Sequence, residues 1–103
     1  MYRSEPYMAM SDDQLVIAME TGDRHAFEEI FERYWKKLYV ESYKRIKEIK
    51  VIEEIVQDVF SCLWINRGAE EIKDLEACLN LEIKHRILKL YLKTGKFIEM
   101  KSN

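Results

Sequence analysis

The sequence predicts an all-α domain of four helices, one short and three longer, with the longer ones packed as a bundle. The chain has 103 residues, of which 48% are hydrophobic, at a net charge of −2, which suits a single core better than a disordered chain. Three glycines and one proline leave few residues for the tight turns of a sandwich or barrel. Apolar residues recur at steps of three and four from residue 15 onwards, as expected for amphipathic helices. We therefore predict a domain over 11–96, a flexible N-terminus over 1–10, and a tail or linker start over 97–103.

The first two helices are bounded by capping signals. Ser11 and Gln14 have capping-box spacing, and Gly22 can end the short helix in a left-handed conformation. Asp23 is the expected N-cap of the long second helix. Residues 1–10 show no sustained period, and Pro6 interrupts them. The stripe of the second helix is Phe27, Ile30, Phe31, Tyr34 and Leu38, continued in phase by Ser42 and Ile46.

The third helix has the strongest apolar pattern. No glycine or proline precedes it, so we place the break at Lys47–Lys50, where the apolar phase shifts. Asn66-Arg67-Gly68 closes the helix, and Asp74 is the expected N-cap of the fourth helix, which ends before Gly95. The third stripe is Ile52, Ile55, Val56, Val59, Phe60, Leu63 and Trp64, where we assign Phe60 and Trp64 to the core. The fourth stripe is Leu75, Leu79, Ile83, Ile87 and either Leu90 or Tyr91.

Several classes of protein are excluded by what the sequence lacks. Cys62 and Cys78 lie in apolar helical patterns and form no disulfide framework, so we expect reduced core thiols and a cytoplasmic location. No signal peptide or membrane span is recognisable. His25 and His85 have no partner at metal-ligand spacing, and no nucleotide-binding or hydrolase motif occurs. We therefore expect no enzyme, no metal and no cofactor.

Charge is unevenly distributed along the chain. Residues 1–35 carry three basic and eight acidic side chains, and every charged side chain in Val51–Trp64 is acidic. Between Lys84 and Lys96 there are five basic residues and no acid. Such segregation can serve two partners of opposite charge or be an ordinary solvated surface, so charge alone does not decide between these alternatives.

The third helix carries the motif that is most informative about function. Glu53 to Phe60 reads EEIVQDVF and is followed by Leu63-Trp64, which resembles the polymerase-binding helix of extracytoplasmic-function (ECF) sigma factors. Further segments are similar to that family in the same order: Asp12 to Leu15, Gly22-Asp23 with Ala26-Phe27-Glu28, Tyr34-Trp35, and Leu75 to Leu79. The resemblance covers roughly residues 11 to 95. It implies the domain called sigma region two, which binds core RNA polymerase and opens the promoter minus-ten element.

The resemblance implies where the polymerase would dock. In the family this helix meets the clamp helices of the largest subunit of bacterial RNA polymerase, which carry basic residues. The matching outward residues, on the side opposite Val56, Val59 and Phe60, are Glu53, Glu54, Gln57 and Asp58. Pairing acidic with basic residues sets the docking register and speeds encounter. The alternative is an ordinary solubilising face.

The resemblance also implies contacts to the nontemplate strand of the minus-ten element. Basic side chains on the fourth helix can neutralise phosphates, and Tyr91, with Trp35 or Tyr39, can offer rings to unpaired bases. In the family the link before this helix, here Asn66 to Lys73, forms part of a pocket for a flipped base. The implied DNA-binding residues are Asn66, Arg67, Lys84, His85, Arg86, Lys89, Tyr91, Lys93 and Lys96.

The chain departs from the family pattern in ways that keep two alternatives open. Lys84-His85 stands where the family usually has Arg-Asn, and Lys89 stands where Asp or Asn is usual. Glu70 and Glu71 in the link repel a DNA strand, and no second helical domain for the minus-thirty-five element follows. One alternative is a sigma-like decoy or regulatory module that binds polymerase or an anti-sigma protein without promoter DNA. The other is a helical protein-interaction domain whose resemblance is only architectural.

Overall fold

The structure is a computed structural model that describes residues 5–94. Within this range the chain forms five helices and no strand, which confirms the all-α prediction but adds one helix to the expected four. The expected tail at 97–103 lies outside the described residues. The helices are α1 (Glu5–Met8), α2 (Asp12–Glu20), α3 (Arg24–Tyr43), α4 (Ile49–Ile65) and α5 (Leu75–Thr94).

The caps that start α2 and α3, and the glycine that follows α2, are those predicted. The Ser11 hydroxyl accepts from the Gln14 amide, and the Gln14 side chain accepts from the Ser11 amide, which completes the capping box. Gly22 follows α2 with a φ of 98°, a left-handed conformation that glycine adopts without a Cβ penalty. The Asp23 carboxylate then accepts from the amides of His25 and Ala26 at the start of α3.

The signals around the link between α4 and α5 are also confirmed. Asn66 is the C-cap of α4, and Gly68 has a φ of 81° two residues later. The Asp74 carboxylate accepts from the Ala77 amide at 3.0 Å, so it caps the first turn of α5.

The predicted break between the second and third helices is wrong by several residues. α3 ends at Tyr43, and a turn through Lys44 leads to α4 at Ile49, whereas the break was expected at Lys47–Lys50. Ile46 was expected to continue the α3 stripe but lies in this turn. It is nevertheless 1% exposed, because the turn folds its side chain into the core. The helical spacing of Ile46 therefore predicted its burial correctly but not its secondary structure.

The expectation of no helix in residues 1–10 is also wrong. A single turn, α1, packs against α3, where the guanidinium of Arg33 donates to the carbonyl oxygens of Tyr7, Met8 and Met10. The same side chain donates to the carboxylates of Glu29 and Asp12, and Tyr34 donates to Asp12 as well. This turn is held by a tertiary contact more than twenty residues away, which a local pattern does not reveal.

The core lies between α3 and the three other long elements. α3 packs against α2, α4 and α5, and α4 packs against α5. The buried apolar residues are Leu15, Val16, Met19, Ala26, Ile30, Tyr34, Leu38, Ile46, Ile52, Ile55, Val56, Val59, Phe60, Leu75, Leu79 and Ile83. Ile87 and Leu90, rather than Tyr91, continue the α5 stripe as half-buried residues against this core. Phe60 is buried as predicted, whereas Trp64, Cys62 and Cys78 are only partly buried.

None of the helices in the described range combines the length and the apolar character needed to cross a membrane.

Candidate docking and nucleic-acid surfaces

The outward face of α4 is acidic and continuous. The helix is held down by a buried stripe that includes Ile52, Val56 and Phe60, so the opposite side chains point to solvent. The four predicted docking residues are all exposed on that opposite side; they are Glu53, Glu54, Gln57 and Asp58. Their exposure agrees with the sequence prediction that these four side chains face outward.

Asp58 lies at the edge of this face that is nearest α5. Its carboxylate is 3.6 Å from Nη1 of Arg86, and 69% of its side chain is exposed. Arg86 is only 22% exposed, and its Nε donates to the Glu82 carboxylate at 3.3 Å. A further donor of Arg86 faces the Cys62 sulfur. Arg86 therefore joins α4 to α5, which leaves fewer of its donors for a phosphate than the sequence prediction assumed.

A hollow of about 430 Å³ lies beside Arg86, between α4, the link and α5. Asn66, Arg67 and Arg86, three of the predicted DNA-binding residues, line it together. Cys78 and the carboxylates of Glu70 and Glu82 are also in its wall. Burial raises the pKa of the Cys78 thiol, and those two carboxylates raise it further, so the thiol stays protonated at neutral pH. The mixed charge of the wall suits a polar neutral group better than a phosphate.

Arg67 is held over an indole ring. Its guanidinium carbon lies 4.0 Å from the centroid of the Trp64 ring, and its Nη1 donates to the Trp64 carbonyl oxygen at 2.7 Å. Arg24, at the start of α3, lies 5.1 Å from the same centroid. Neither arginine has a carboxylate partner among residues 5–94. Sequence reasoning missed Arg24, because only the packing of α3 on α4 brings it beside Trp64.

The remaining predicted DNA-binding residues are distributed around α5, where Lys93 lies seven residues after Arg86 and so on the same side of the helix. Lys84, His85, Lys89 and Lys93 are exposed, and Lys96 lies outside the described residues. Tyr91 is half-buried and lines a second, smaller hollow of about 180 Å³ with Arg45, Lys84, Ile87 and Leu88. The predicted DNA-binding residues are therefore spread over α5 and the link after α4 rather than gathered on one surface.

The aromatic residues considered for base stacking on α3 are engaged in packing. Trp35 contacts Phe31 and Tyr39, with ring centroids 6.5 Å and 6.4 Å apart, and Phe31 meets Phe60 edge-on at 4.9 Å. Trp35 and Tyr39 are both partly buried against the core. Their rings therefore support the α3–α4 interface.

Three leucines on the solvent side of α5 were not predicted. Leu81, Leu88 and Leu92 are exposed by 57%, 53% and 67%. They fall between the basic residues of this helix and opposite its buried stripe. They lie outside the apolar stripe that marks the core side of this helix, although their spacing of seven and four residues is itself a helical signal.

Comparison with known proteins identifies no relative of this chain. No family model matches the chain, and no curated protein or solved structure matches it. Within residues 5–94, no group of three or more His, Cys, Asp or Glu side chains is arranged to hold a metal ion.

Proposed function

We propose that this chain is the core-binding domain of an ECF-type sigma factor and docks on bacterial RNA polymerase through the outward face of α4. The observation that carries the proposal is the exposed set Glu53, Glu54, Gln57 and Asp58 on a helix whose other side is fully packed. The motif that resembles the family's docking helix supplies the same four residues. The basic clamp helices of the polymerase's largest subunit are the complementary partner.

In this proposal the domain also meets the nontemplate strand of the minus-ten element. Arg67 and Asn66 at the first hollow, and Lys84 and Tyr91 at the second, are the residues best placed for it. Glu70 at the first hollow opposes a phosphate there. We therefore assign the affinity for polymerase to α4 and only a secondary contribution to the DNA contacts.

A second candidate function is a sigma-like regulatory module that binds polymerase or an anti-sigma protein without promoter DNA. The observation that favours it is the state of α5, where Arg86 is occupied by Glu82 and Asp58 and three leucines face outward. Binding to a single-stranded minus-ten oligonucleotide distinguishes the two candidates.

The docking assignment is tested by capture of core RNA polymerase. The double variant Glu53→Lys with Glu54→Lys reverses the charge of the face but spares the Asp58–Arg86 pair. We expect it to lose polymerase binding while its melting temperature stays close to that of the parent, since exposed substitutions change stability by about 0.5 kcal/mol or less.

The matched control is Asp13→Lys with Glu20→Lys, which makes the same change of charge at exposed positions of α2. It should capture polymerase as the parent does. Undiminished capture by the folded α4 variant would show that this face is not the docking surface. Equal loss in both variants would indicate an effect of net charge alone.

A further inference from the structure

The outer side of α5 carries a second apolar pattern, distinct from the one that enters the core. Ala77, Leu81, His85, Leu88 and Leu92 are all exposed and are spaced by four, four, three and four residues. On an α-helix these positions fall in a sector of about 80° opposite the buried stripe of Leu75, Leu79 and Ile83. We call these five residues the outer seam. Spacing that alternates between three and four is the pattern by which one helix packs along another.

The outer seam is flanked by positive charge that nothing in the fold neutralises. Lys84 and Lys89 lie on either side of it and form no ion pair within residues 5–94. The two acidic residues of α5, Glu76 and Glu82, form ion pairs with other side chains. Glu82 pairs with Arg86 at 3.3 Å, and Glu76 pairs with Lys37 at 3.4 Å. A partner that covers the leucines must therefore also supply negative charge.

A hollow beside the seam can receive a side chain of such a partner. The second hollow, of about 180 Å³, is lined by Ile87, Leu88 and Tyr91 together with Arg45 and Lys84. Leu88 and Lys84 border both the hollow and the seam. Arg45 already pairs with Glu41 at 3.3 Å, so Lys84 is the cation at this hollow that an acidic neighbour of the anchor can meet. An apolar pocket beside a lysine suits an apolar anchor with acidic neighbours, which is how amphipathic helices are recognised in grooves.

A second copy of this chain is a poor occupant of the seam. Two α5 helices paired through it would bring their lysines together, and like charges across an interface are costly. The acidic helix α2 has the right charge, but Ile17 is its one exposed large apolar residue. One anchor cannot cover three leucines, so α2 of a second copy does not complement the seam.

We infer that the outer seam of α5 is a docking site for an acidic amphipathic helix of a partner protein. The leucines of the seam pack against its apolar stripe, Lys84 and Lys89 pair with its carboxylates, and His85 is a polar position that sets the register. One consequence rests on the proposed function: the bound helix covers Lys84 and Lys89, so it and a DNA strand exclude each other.

The test uses the full chain and two synthetic helices of about three heptads, each with leucine along one stripe. One has glutamate beside the stripe, and the other has lysine. By fluorescence anisotropy we expect saturable binding of the glutamate helix and much weaker binding of the lysine helix. Leu81→Ser with Leu88→Ser should weaken binding by about tenfold or more, which corresponds to about 1.4 kcal/mol for each tenfold step. Ile17→Ser with Ile65→Ser, which removes exposed apolar side chains elsewhere, should not.

The decisive measurement reverses the charges beside the outer seam and compares the binding of the two synthetic helices. Lys84→Glu with Lys89→Glu should lose the glutamate helix and gain the lysine helix. Equal binding of both helices by the parent, or insensitivity to the leucine substitutions in a variant with unchanged circular dichroism, would overturn the inference. So would binding to phosphatidylserine vesicles in place of the helix, or a leucine-dependent dimer in solution. Polymerase capture depends on α4, so failure of either test leaves the other interpretable.

Discussion

The carboxylate of Asp23 connects α1 to the start of α3. Its Oδ1 accepts from the amides of His25 and Ala26, and its Oδ2 accepts from the Tyr7 hydroxyl at 2.7 Å. The Tyr7 hydrogen bond lowers the pKa of Asp23 below its ordinary value of 3.8, and the two amides add to that effect. The folded chain therefore favours the charged form of this side chain.

This lowered pKa predicts that Asp23 stabilises the fold at neutral pH and that acid removes its contribution. Because the unfolded chain binds the proton more readily, the contribution is present above pH 3.8 and is lost as the pH falls through the lower folded value. Asp23→Asn keeps a capping side chain but cannot titrate. We expect its melting temperature to fall less steeply than that of the parent between about pH 5 and pH 2.

Tyr7→Phe should flatten the same slope in part, since it removes the largest cause of the shift. Glu71→Gln, an exposed carboxylate in the link, is the control and should leave the slope unchanged. An unaltered slope in Asp23→Asn would mean that other carboxylates determine acid unfolding.

Helix α4 joins the core to the proposed docking face. Phe60 is 3% exposed and meets Phe31 edge-on, whereas Trp64, one turn later, is only partly buried between Phe27 and two arginines. The sequence assigned both to the core on the same periodicity. The structure distinguishes them by depth.

That difference in depth predicts a difference in stability. Phe60→Ala should lower the free energy of unfolding by about 3–5 kcal/mol, because it leaves a cavity in a packed site. Trp64→Ala should cost less, because solvent fills much of the space it vacates. Ile65→Ala, at a position that is 72% exposed, should change stability by about 0.5 kcal/mol or less. Urea denaturation measures all three, and a cost for Trp64→Ala equal to that of Phe60→Ala would contradict this assignment of depth.

The boundaries of the elements were predictable where a local hydrogen bond sets them. Ser11, Asp23 and Asp74 cap helices through amides two or three residues away, and such pairs are visible in the sequence. The turn after Tyr43 was not, because no glycine or proline marks it and its anchor, Ile46, is fixed by tertiary burial. The turn α1 escaped prediction for a similar reason, since Arg33 holds it from α3.

Acidic and basic residues of the molecule lie in different parts of the fold. The acidic residues dominate the first 35 positions and the outward face of α4, whereas the last turns of α5 are basic. A DNA strand that approaches α5 would be attracted there and repelled by the acidic residues of the first 35 positions and of α4. We therefore expect weak binding to single-stranded minus-ten oligonucleotides and little binding to duplex.

The salt dependence of that binding tests which side chains of this chain contact the DNA. For single strands the logarithm of affinity falls with the logarithm of salt concentration by about 0.7 per phosphate contacted. Lys84→Ala with Lys89→Ala should reduce the slope by about 1.4 and weaken binding to every sequence. His85→Ala should change the base preference instead.

The control for this measurement is Lys36→Ala with Lys50→Ala, which removes the same charge from exposed positions on α3 and α4. An unchanged slope in both double variants would place the phosphates elsewhere. Absence of binding at low salt, even with core polymerase present, would favour the regulatory module over the initiation factor.

Exposure of the candidate sites was more predictable than their mutual arrangement. The acidic face of α4 follows from periodicity alone, because a buried stripe fixes which side chains point outward. The pairing of Asp58 with Arg86, and the approach of Arg24 and Arg67 to Trp64, depend on how three helices cross. No local pattern encodes those crossings, so basic residues predicted to act together were found on different sides of α5.

The hydrogen bonds of Arg33 have a consequence for how the molecule opens. One guanidinium satisfies the carbonyl oxygens that end α1 and the carboxylates of Asp12 and Glu29, and Glu29 is 3% exposed. Detaching α1 leaves the Arg33–Glu29 pair within α3 but removes three carbonyl acceptors from a guanidinium whose side chain is only 22% exposed. Unpaired donors on a largely buried charged group are costly, so this opening costs more free energy than breaking surface contacts. In native-state hydrogen exchange we therefore expect the amides of α1 to open with the cooperative unit that contains α3, rather than independently.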